Sequence, residues 1–418
     1  MNRAKLLVLL ACLAPISAST LRAQNAVTDW NTIASTTIVK VGGKPSGAGA
    51  VWFAYAAIAS YDAVNAIDGR HQPFYYSQKA PDGASAEAAA VAAAHRVLVN
   101  YFPSQQTELD AQFAASIAAI QAGDDAKTAG IAVGEASAAA LIGQRTGDGL
   151  EADVSFTPGS GPGVWQPTPP KFLAAATPWL GQMRPFTMSS AAQFLPPGPP
   201  ALNSRRWKRD YNLTRTLGSV NSTERTAEQS EVGLFWTEHT PEQYARAFGY
   251  MAANYHLSVP ETARLMAILW TGAADASIGC FNAKYHYSFW RPVTAIPAGG
   301  GNPDLIADPN WLPLAATPNH PEYPAQHGCF SNAVSHLIEG YFETPKVHIV
   351  VDSSVFPDGV HTHTFEDTED LFEEVFWARI YAGFHFEHSL EDGADLGKQL
   401  ARQLLREHFR MASEHRRP

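Results

Sequence analysis

Apolar residues recur at helical spacing along most of the chain and predict a mainly α-helical protein. In the N-terminal third, Gly or Pro residues separate four Ala-rich segments of helical composition: residues 51–65, 85–101, 104–122 and 124–142. Asp124 is a typical helix start and Gly143 a typical helix end. Ala-rich helices pack closely in bundles, and nothing in these four segments indicates chemistry.

The middle of the chain has a different composition. Residues 151–203 contain 11 of the 29 prolines. Large aromatic residues are interspersed among them, which predicts an irregular but packed segment rather than a flexible linker. These aromatic residues are Trp165, Phe172, Trp179, Phe186 and Phe194.

Helical periodicity resumes after residue 203. Ser258 and Glu261 form a capping-box sequence, with Pro260 near the start of a long apolar helix that runs towards Trp290. Residues 347–351 carry the one convincing strand signal. We therefore predict an all-α helical bundle with little β-structure.

The N-terminus has the features of a secretory signal peptide at residues 1–23. Arg3 and Lys5 precede an apolar run, and Ala23 is a plausible cleavage point. A lipoprotein signal is the alternative, because residues 9–12 are similar to a lipobox. No later stretch is long and apolar enough to span a bilayer. We predict a periplasmic or secreted protein with three further parts: a helical part at 24–150, the Pro-rich segment at 151–203 and a helical bundle at 204–418.

Composition and charge exclude several classes of protein. The chain has 418 residues, 45% of them hydrophobic, with 10 Trp, 14 Tyr and 21 Phe, so it can bury a large core and is not disordered. Its formal net charge of -10 argues against a nucleic-acid partner. Three cysteines are too few for a disulfide scaffold. Pairing of Cys280 with Cys329 is left open. The apolar N-terminal helices could support a homodimer, although no interface signature is present.

Candidate chemistry lies in the C-terminal half, where 13 of the 15 histidines follow residue 200. In the segment 284–292, Lys284 and Arg291 lie seven residues apart, so they share one helix face before Pro292 ends the helix. Two cations on one stripe suit a tetrahedral oxyanion. Taken alone, the pair is more typical of two cations that reach solvent from an amphipathic helix.

Two further segments contain candidate histidines. Residues 320–328 form a Pro-bounded loop that leads into a helix, whose free N-terminal amides suit an anion. His327 in the first turn is placed for proton transfer, although a loop hydrogen bond is an equal alternative. In the segment 379–385, Gly383 predicts a helix stop that lets Arg379 and His385 point at one centre.

The ordered triple Lys-x6-Arg-Pro, Pro-x-x-His and Arg-x3-Gly-x-His resembles the haloperoxidase and type 2 phosphatidic acid phosphatase superfamily. The aromatic residues between Lys284 and Arg291, and the sequence Gly-Leu-Phe-Trp at 233–236, look most like its vanadium-dependent haloperoxidase branch. The resemblance covers roughly residues 230–395. It implies a helical bundle with a central site.

The resemblance also assigns roles to individual residues. By it, three cations bind the equatorial oxygens of vanadate or phosphate: Lys284, Arg291 and Arg379. The backbone amide of Gln326 corresponds to the glycine of the family motif. His385 bonds the central atom, as a ligand to vanadium or as a phosphorylated nucleophile, and His327 handles protons at an apical oxygen.

Two positions depart from the family pattern. Ala325 stands where the family has a serine, which removes a hydroxyl bond to the anion of roughly 1.5–3 kcal/mol. Ser389 stands where the acid phosphatases have an Asp that orients the nucleophilic histidine. Ser389 and Asp392 are better explained as a capping box for the last helix. Loss of an orienting Asp harms a nucleophile more than a static ligand, and this favours the peroxidase branch.

The resulting hypothesis is an exported enzyme that binds vanadate and uses hydrogen peroxide to oxidise a halide or similar nucleophile. The first alternative is an acid phosphatase that needs no cofactor and hydrolyses phosphate monoesters through a phosphohistidine at His385. A non-catalytic oxyanion-binding protein, supported by Ala325, is a minor alternative. A zinc hydrolase using histidines at 361, 363, 385 and 388 is another, although no compact metalloprotease signature is present.

Overall fold

Helices make up nearly all the regular structure, as the apolar periodicity predicted. The structure is a computed structural model that describes residues 25–412. The predicted signal peptide lies outside these residues. The helices of the described part are α1 (Ala26–Ser35), α2 (Ala50–Asp68), α3 (Ala86–Tyr101), α4 (Gln106–Ala119), α5 (Asp124–Arg145), α6 (Arg205–Leu217), α7 (Ala227–Phe235), α8 (Thr240–Asn254), α9 (Val259–Tyr287), α10 (Pro292–Ala295), α11 (Gln326–Phe342), α12 (Thr368–Tyr381) and α13 (Glu387–Glu407).

One β-hairpin interrupts the helices. Strand β1 (Ile349–Phe356) pairs antiparallel with β2 (Gly359–Phe365). The sequence signal at 347–351 marked β1 only. Strand β2 was missed because its residues are Val, His and Thr with little apolar character, and most of its side chains remain accessible to solvent. Residues 25–412 contain no helix with the length and hydropathy needed to cross a bilayer.

Helix α9 is the centre of the bundle. The predicted capping box at its start is confirmed, since the Ser258 and Glu261 side chains each accept from the other's backbone N–H. The helix ends at Tyr287, three residues before Trp290, because Ser288 takes a left-handed conformation with φ 50°. From this helix Trp270 stacks on Phe53 of α2 at 4.1 Å between ring centroids. Contacts of this kind join the Ala-rich helices and the C-terminal helices in one apolar core.

The Pro-rich segment packs against α9, as its aromatic content predicted. Trp165, Trp179 and Phe186 are buried, whereas Phe172 is exposed. The buried carboxylate of Asp275 on α9 accepts hydrogen bonds from the backbone N–H groups of Phe186 and Thr187 at 2.7 Å each. This carboxylate fixes an irregular segment that has few backbone hydrogen bonds of its own.

Helices α11 and α13 approach each other closely. A Cβ atom on Gly393 would lie 2.8 Å from the carbonyl oxygen of Ala325, and one on Gly397 would lie 2.4 Å from that of Cys329. The predicted capping box at Ser389 and Asp392 is wrong, because α13 begins earlier, at Glu387, and both residues lie inside it.

The turn between α12 and α13 fulfils the prediction made for Gly383. Its φ is +76°, and a Cβ there would lie 2.5 Å from the carbonyl oxygen of Gly218. Only glycine meets both conditions without strain. The chain therefore leaves the axis of α12 here, and Arg379 and His385 reach the same side of the bundle.

Candidate active site

A cavity of about 360 Å³ lies where the second and third sequence motifs meet. Its wall includes Gln326 and His327 from the start of α11, Arg379 from α12 and His385 from the turn before α13. Residues 45–47 and 176–177 complete the wall from the N-terminal part and the Pro-rich segment. Lys284 and Arg291 are fully buried and do not line the cavity.

Lys284 holds the loop that precedes α11. Its ammonium group donates to the backbone carbonyls of Pro321 at 2.9 Å, Glu322 at 2.9 Å and Pro324 at 2.5 Å. An ammonium group has three protons, so these carbonyls use all of them. In this geometry Lys284 contributes its charge and fixes the loop.

Arg291 connects this loop to His385. Its Nε donates to the carbonyl of His320 at 2.9 Å, and its Nη1 donates to the carbonyl of Phe384 at 3.0 Å. The same Nη1 lies 3.1 Å from Nε2 of His385. The guanidinium group thus fixes the backbone beside the histidine and also contacts its ring.

Arg379 is the cation that lines the cavity. Its Nη1 donates to the carbonyl of Trp236 at 2.6 Å, and its guanidinium lies 4.6 Å from the centroid of the Phe384 ring. Its Nε is buried without a hydrogen-bond partner among the described residues. Arg379 therefore keeps donor capacity for an acceptor that enters the site.

A carboxylate orients His385, and the sequence interpretation missed it. Nδ1 of His385 lies 2.8 Å from Oε1 of Glu322, and the backbone N–H of Phe386 donates to the same oxygen at 3.0 Å. A carboxylate beside Nδ1 places the ring proton there. The lone pair is then on Nε2, on the side of Arg291. Glu322 is two residues after His320, in the motif that also carries His327, but sequence reasoning had sought an acidic residue after His385.

The start of α11 presents free backbone amides. Ala325 is the N-cap residue and has no side chain that could accept from them. The amides of Gln326 and His327 belong to the first turn, where an α-helix supplies no acceptor. The side chain of Gln326 points towards residue 47, where its Nε2 donates to the carbonyl of Gly47 at 3.0 Å.

The electrostatics of the site are dominated by buried positive charge. Burial lowers the pKa of Lys284 to about 8, and it also lowers the pKa of Arg379 and Arg291. These three cations face one fully buried carboxylate, Glu322, whose pKa is raised by burial. An interior with this excess of cations fits a multiply charged oxyanion, which would compensate the charge.

The two candidate histidines are neutral at pH 7. Burial holds the pKa of His327 and His385 well below its usual range, and the charges of Arg379, Lys284 and Arg291 lower both further. A neutral imidazole can act as a ligand through its unprotonated nitrogen or accept a proton there from a bound oxygen. Both capabilities require this protonation state.

Sulfate binding should weaken as the pH rises through about 8, the pKa of Lys284. The lowered pKa means that Lys284 is charged below this pH and neutral above it, so the attraction for an anion is present on the acid side and lost on the alkaline side. Sulfate is a suitable probe because it is tetrahedral and its charge is constant near neutral pH. Isothermal titration calorimetry from pH 6.5 to 9 would measure the change. Lys284→Met should remove this pH dependence of the sulfate affinity. A wild-type affinity that does not change with pH would contradict the prediction.

The histidines considered as zinc ligands pair with carboxylates. His361 and His363 both contact Glu231, and His388 contacts Asp210 through its Nδ1 at 2.8 Å. Within residues 25–412, no group of three or more His, Cys, Asp or Glu side chains is arranged to hold a metal ion. The zinc-hydrolase alternative therefore has no support in the geometry. Cys280 and Cys329 are buried free thiols.

Comparison with known proteins places this arrangement in a family context. Residues 264–414, which contain all three motifs, match the family of VCPO second helical-bundle domains. A crystal structure of the first bacterial vanadium-dependent iodoperoxidase is similar over 93% of this chain and 98% of that chain, with a TM-score of 0.79 and 22% identity. The chain has the vanadium haloperoxidase fold. The resemblance found in the sequence is confirmed.

Two more haloperoxidases are similar to the chain. Bacterial vanadium-dependent chloroperoxidase in its holo form has a TM-score of 0.69 at 15% identity, and the match covers 89% of this chain and 93% of that chain. Vanadium chloroperoxidase of Curvularia inaequalis is 29% identical over 150 residues, or 30% of this chain. That match spans 24% of the length of the Curvularia protein.

Proposed function

We propose that the protein is an exported, vanadium-dependent haloperoxidase-like enzyme that uses hydrogen peroxide to oxidise a halide or a similar nucleophile. The observation that carries this proposal is the buried cluster of Lys284, Arg291 and Arg379 against the single carboxylate of Glu322, beside a neutral His385. The similarity to iodo- and chloroperoxidases supports it. The signal-peptide pattern at residues 1–23 supports export.

The residues present fit vanadate. His385 would bind it through Nε2, which carries the lone pair because Glu322 accepts from Nδ1. That lone pair now accepts from Arg291 Nη1 at 3.1 Å, and vanadate would take the place of this hydrogen bond. Arg379 would donate from its unpartnered Nε, while Lys284 and Arg291 contribute charge from behind the cavity wall. The amide of Gln326 is a further donor. When bound, vanadate supplies the metal centre that activates peroxide towards attack by a halide.

His327 would handle protons in this site. It lies at the cavity wall in the first turn of α11, and it is neutral at pH 7. A neutral imidazole in contact with a bound oxygen can donate a hydrogen bond to it through its N–H or accept a proton at its unprotonated nitrogen. The hydroxyl lost at Ala325 is replaced in part by the Gln326 amide and by the free donors of Arg379.

An acid phosphatase is the second candidate, and Glu322 favours it. The carboxylate that orients His385 also stabilises an imidazole that becomes charged or phosphorylated during a reaction. Glu322 takes the orienting role that was sought at Ser389, so the presence of an orienting carboxylate does not separate the two chemistries. A non-catalytic oxyanion-binding protein is the third candidate. Oxyanion binding alone would account for the three buried cations, but it would not account for the neutral histidines at the cavity.

Two parallel assays decide among these functions. Protein loaded with orthovanadate is tested for peroxide-dependent oxidation of iodide and bromide, and metal-free protein is tested for hydrolysis of p-nitrophenyl phosphate. We expect halide oxidation that saturates with vanadate and is inhibited competitively by phosphate. His348→Ala, at a partly exposed position just before β1, serves as the matched control. Phosphatase turnover without halide oxidation would select the second candidate, and binding of vanadate without either activity would select the third.

A further inference from the structure

The N-terminal Ala-rich part contributes a segment to the cavity, although its sequence indicated no chemistry. Residues 44–47 follow α1 and are fixed to the site at three points. His239 Nε2 lies 2.9 Å from the carbonyl of Lys44, the backbone N–H of Thr240 donates to Ser46 Oγ at 3.0 Å, and Gln326 binds the carbonyl of Gly47. A Cβ on Gly47 would lie 2.6 Å from Cζ of Phe281, so the segment is packed tightly.

A chain of hydroxyl groups runs from this segment to His327. Ser46 Oγ donates to Thr240 Oγ1 at 3.3 Å, and Thr240 Oγ1 lies 3.2 Å from Nε2 of His327. Thr240 is buried, with 4% of its surface exposed, at the first position of α8. Its hydroxyl therefore has one donor neighbour, Ser46, and one imidazole neighbour, His327.

The direction of the bond to His327 follows from the bond that Ser46 donates to Thr240. A hydroxyl group has a single proton and two acceptor positions. Because Ser46 uses its proton to donate to Thr240, the proton of Thr240 is left for another acceptor. Nε2 of His327 is the nitrogen within reach, and it accepts only if the ring proton is on Nδ1.

We propose that Thr240, held by Ser46, is a positioning residue that fixes His327 in the tautomer protonated at Nδ1. Nδ1 of His327 has no hydrogen-bond partner in the described part of the chain. An oxyanion oxygen that contacts Nδ1 would then meet an N–H donor rather than a second lone pair. The consequence for turnover rests on the proposed function, whereas the tautomer itself does not.

The tautomer can be measured without any anion. Nitrogen NMR of the imidazole groups, with His327 assigned by comparison with His327→Gln, distinguishes protonated from unprotonated Nδ1. We expect a protonated Nδ1 in the wild type and in Thr240→Ser, which keeps the hydroxyl. In Thr240→Val, which has a similar shape but no hydroxyl, the proton should move to Nε2 in a substantial fraction of molecules. Thr32→Val, on the exposed face of α1, controls for loss of a threonine hydroxyl.

Steady-state kinetics of the vanadate-loaded enzyme supply the second readout. Thr240→Val should lower kcat by about 10-fold to 100-fold, the range expected when a group that orients an active-site residue is removed. KM for peroxide should change much less, and Thr240→Ser should restore kcat. Ser46→Ala should have a smaller effect in the same direction. A wild-type His327 protonated at Nε2, or a Thr240→Val spectrum identical to the wild type, would overturn the assignment. If wild-type enzyme shows no halide oxidation, the proposed function fails while the NMR result still decides the tautomer.

Discussion

His385→Ala should reduce vanadate-dependent halide oxidation to background, a loss of at least about 10³-fold. The substitution removes the imidazole that would bind the central atom, and no other side chain at the cavity presents a nitrogen oriented by a buried carboxylate. The same variant should lose any phosphatase activity, because the nucleophile of that reaction would be the same Nε2 atom. Initial rates with iodide or bromide, at saturating vanadate, measure the loss.

The fold should tolerate this substitution. His385 lies in the turn between α12 and α13 rather than inside a helix, so far-ultraviolet circular dichroism should show unchanged helix content. His348→Ala, at a partly exposed histidine paired with Glu366, is the matched control and should keep full activity. Normal turnover in His385→Ala would mean that the third motif has been assigned to the wrong chemistry.

Glu322→Gln should lower kcat by about 10² to 10⁴-fold, and it should weaken vanadate binding by about 10-fold to 100-fold. A glutamine has nearly the same shape, but its amide can donate to Nδ1 of His385 and so move the ring proton to Nε2. That proton would occupy the lone pair needed for a bond to the central atom. The change also removes the one buried negative charge among the three cations. Stopped assays give kcat, and equilibrium titration gives the dissociation constant.

Two further variants serve as controls for Glu322→Gln. Glu366→Gln, an exposed carboxylate on the hairpin side, should leave both constants unchanged. Glu322→Asp should recover part of the activity, because it keeps the charge but shortens the reach. Equal activity in Glu322→Gln and the wild type would show that His385 is oriented by Arg291 and its own backbone alone.

Local patterns in the sequence predicted much of the architecture. The capping box at Ser258 and Glu261 and the left-handed stop at Gly383 each depend on a few neighbouring residues, and the structure has both. The order of the three motifs also indicated the fold. The prediction that Lys284 and Arg291 share one helix face is wrong, because α9 ends at Tyr287 and Arg291 has an extended backbone just before α10. The first-turn location of His327 followed from the Pro-bounded loop before α11 in the same way.

Pairings between distant residues could not be predicted. Glu322 contacts His385 across 63 residues, and Thr240 contacts His327 across 87 residues. No periodicity relates residues so far apart; only the packing of α8, α11 and α12 brings them together. The mistaken capping box at Ser389 shows the same limit, because Ser389 lies inside α13 and its hydroxyl donates to the distant carbonyl of Glu322 at 3.4 Å. Strand β2 was missed because most of its side chains are accessible to solvent, so it lacks the apolar residues that would mark a strand.

The central claim is that an oxyanion binds inside the cluster formed by Lys284, Arg291, Arg379, His327 and His385. A crystal structure of the protein soaked with orthovanadate tests it most directly. The claim predicts a vanadium atom bonded to Nε2 of His385, with Arg379 and the first-turn amides of α11 around its oxygens. Vanadium bound elsewhere on the protein, or a cavity that stays free of anion at saturating vanadate, would contradict it.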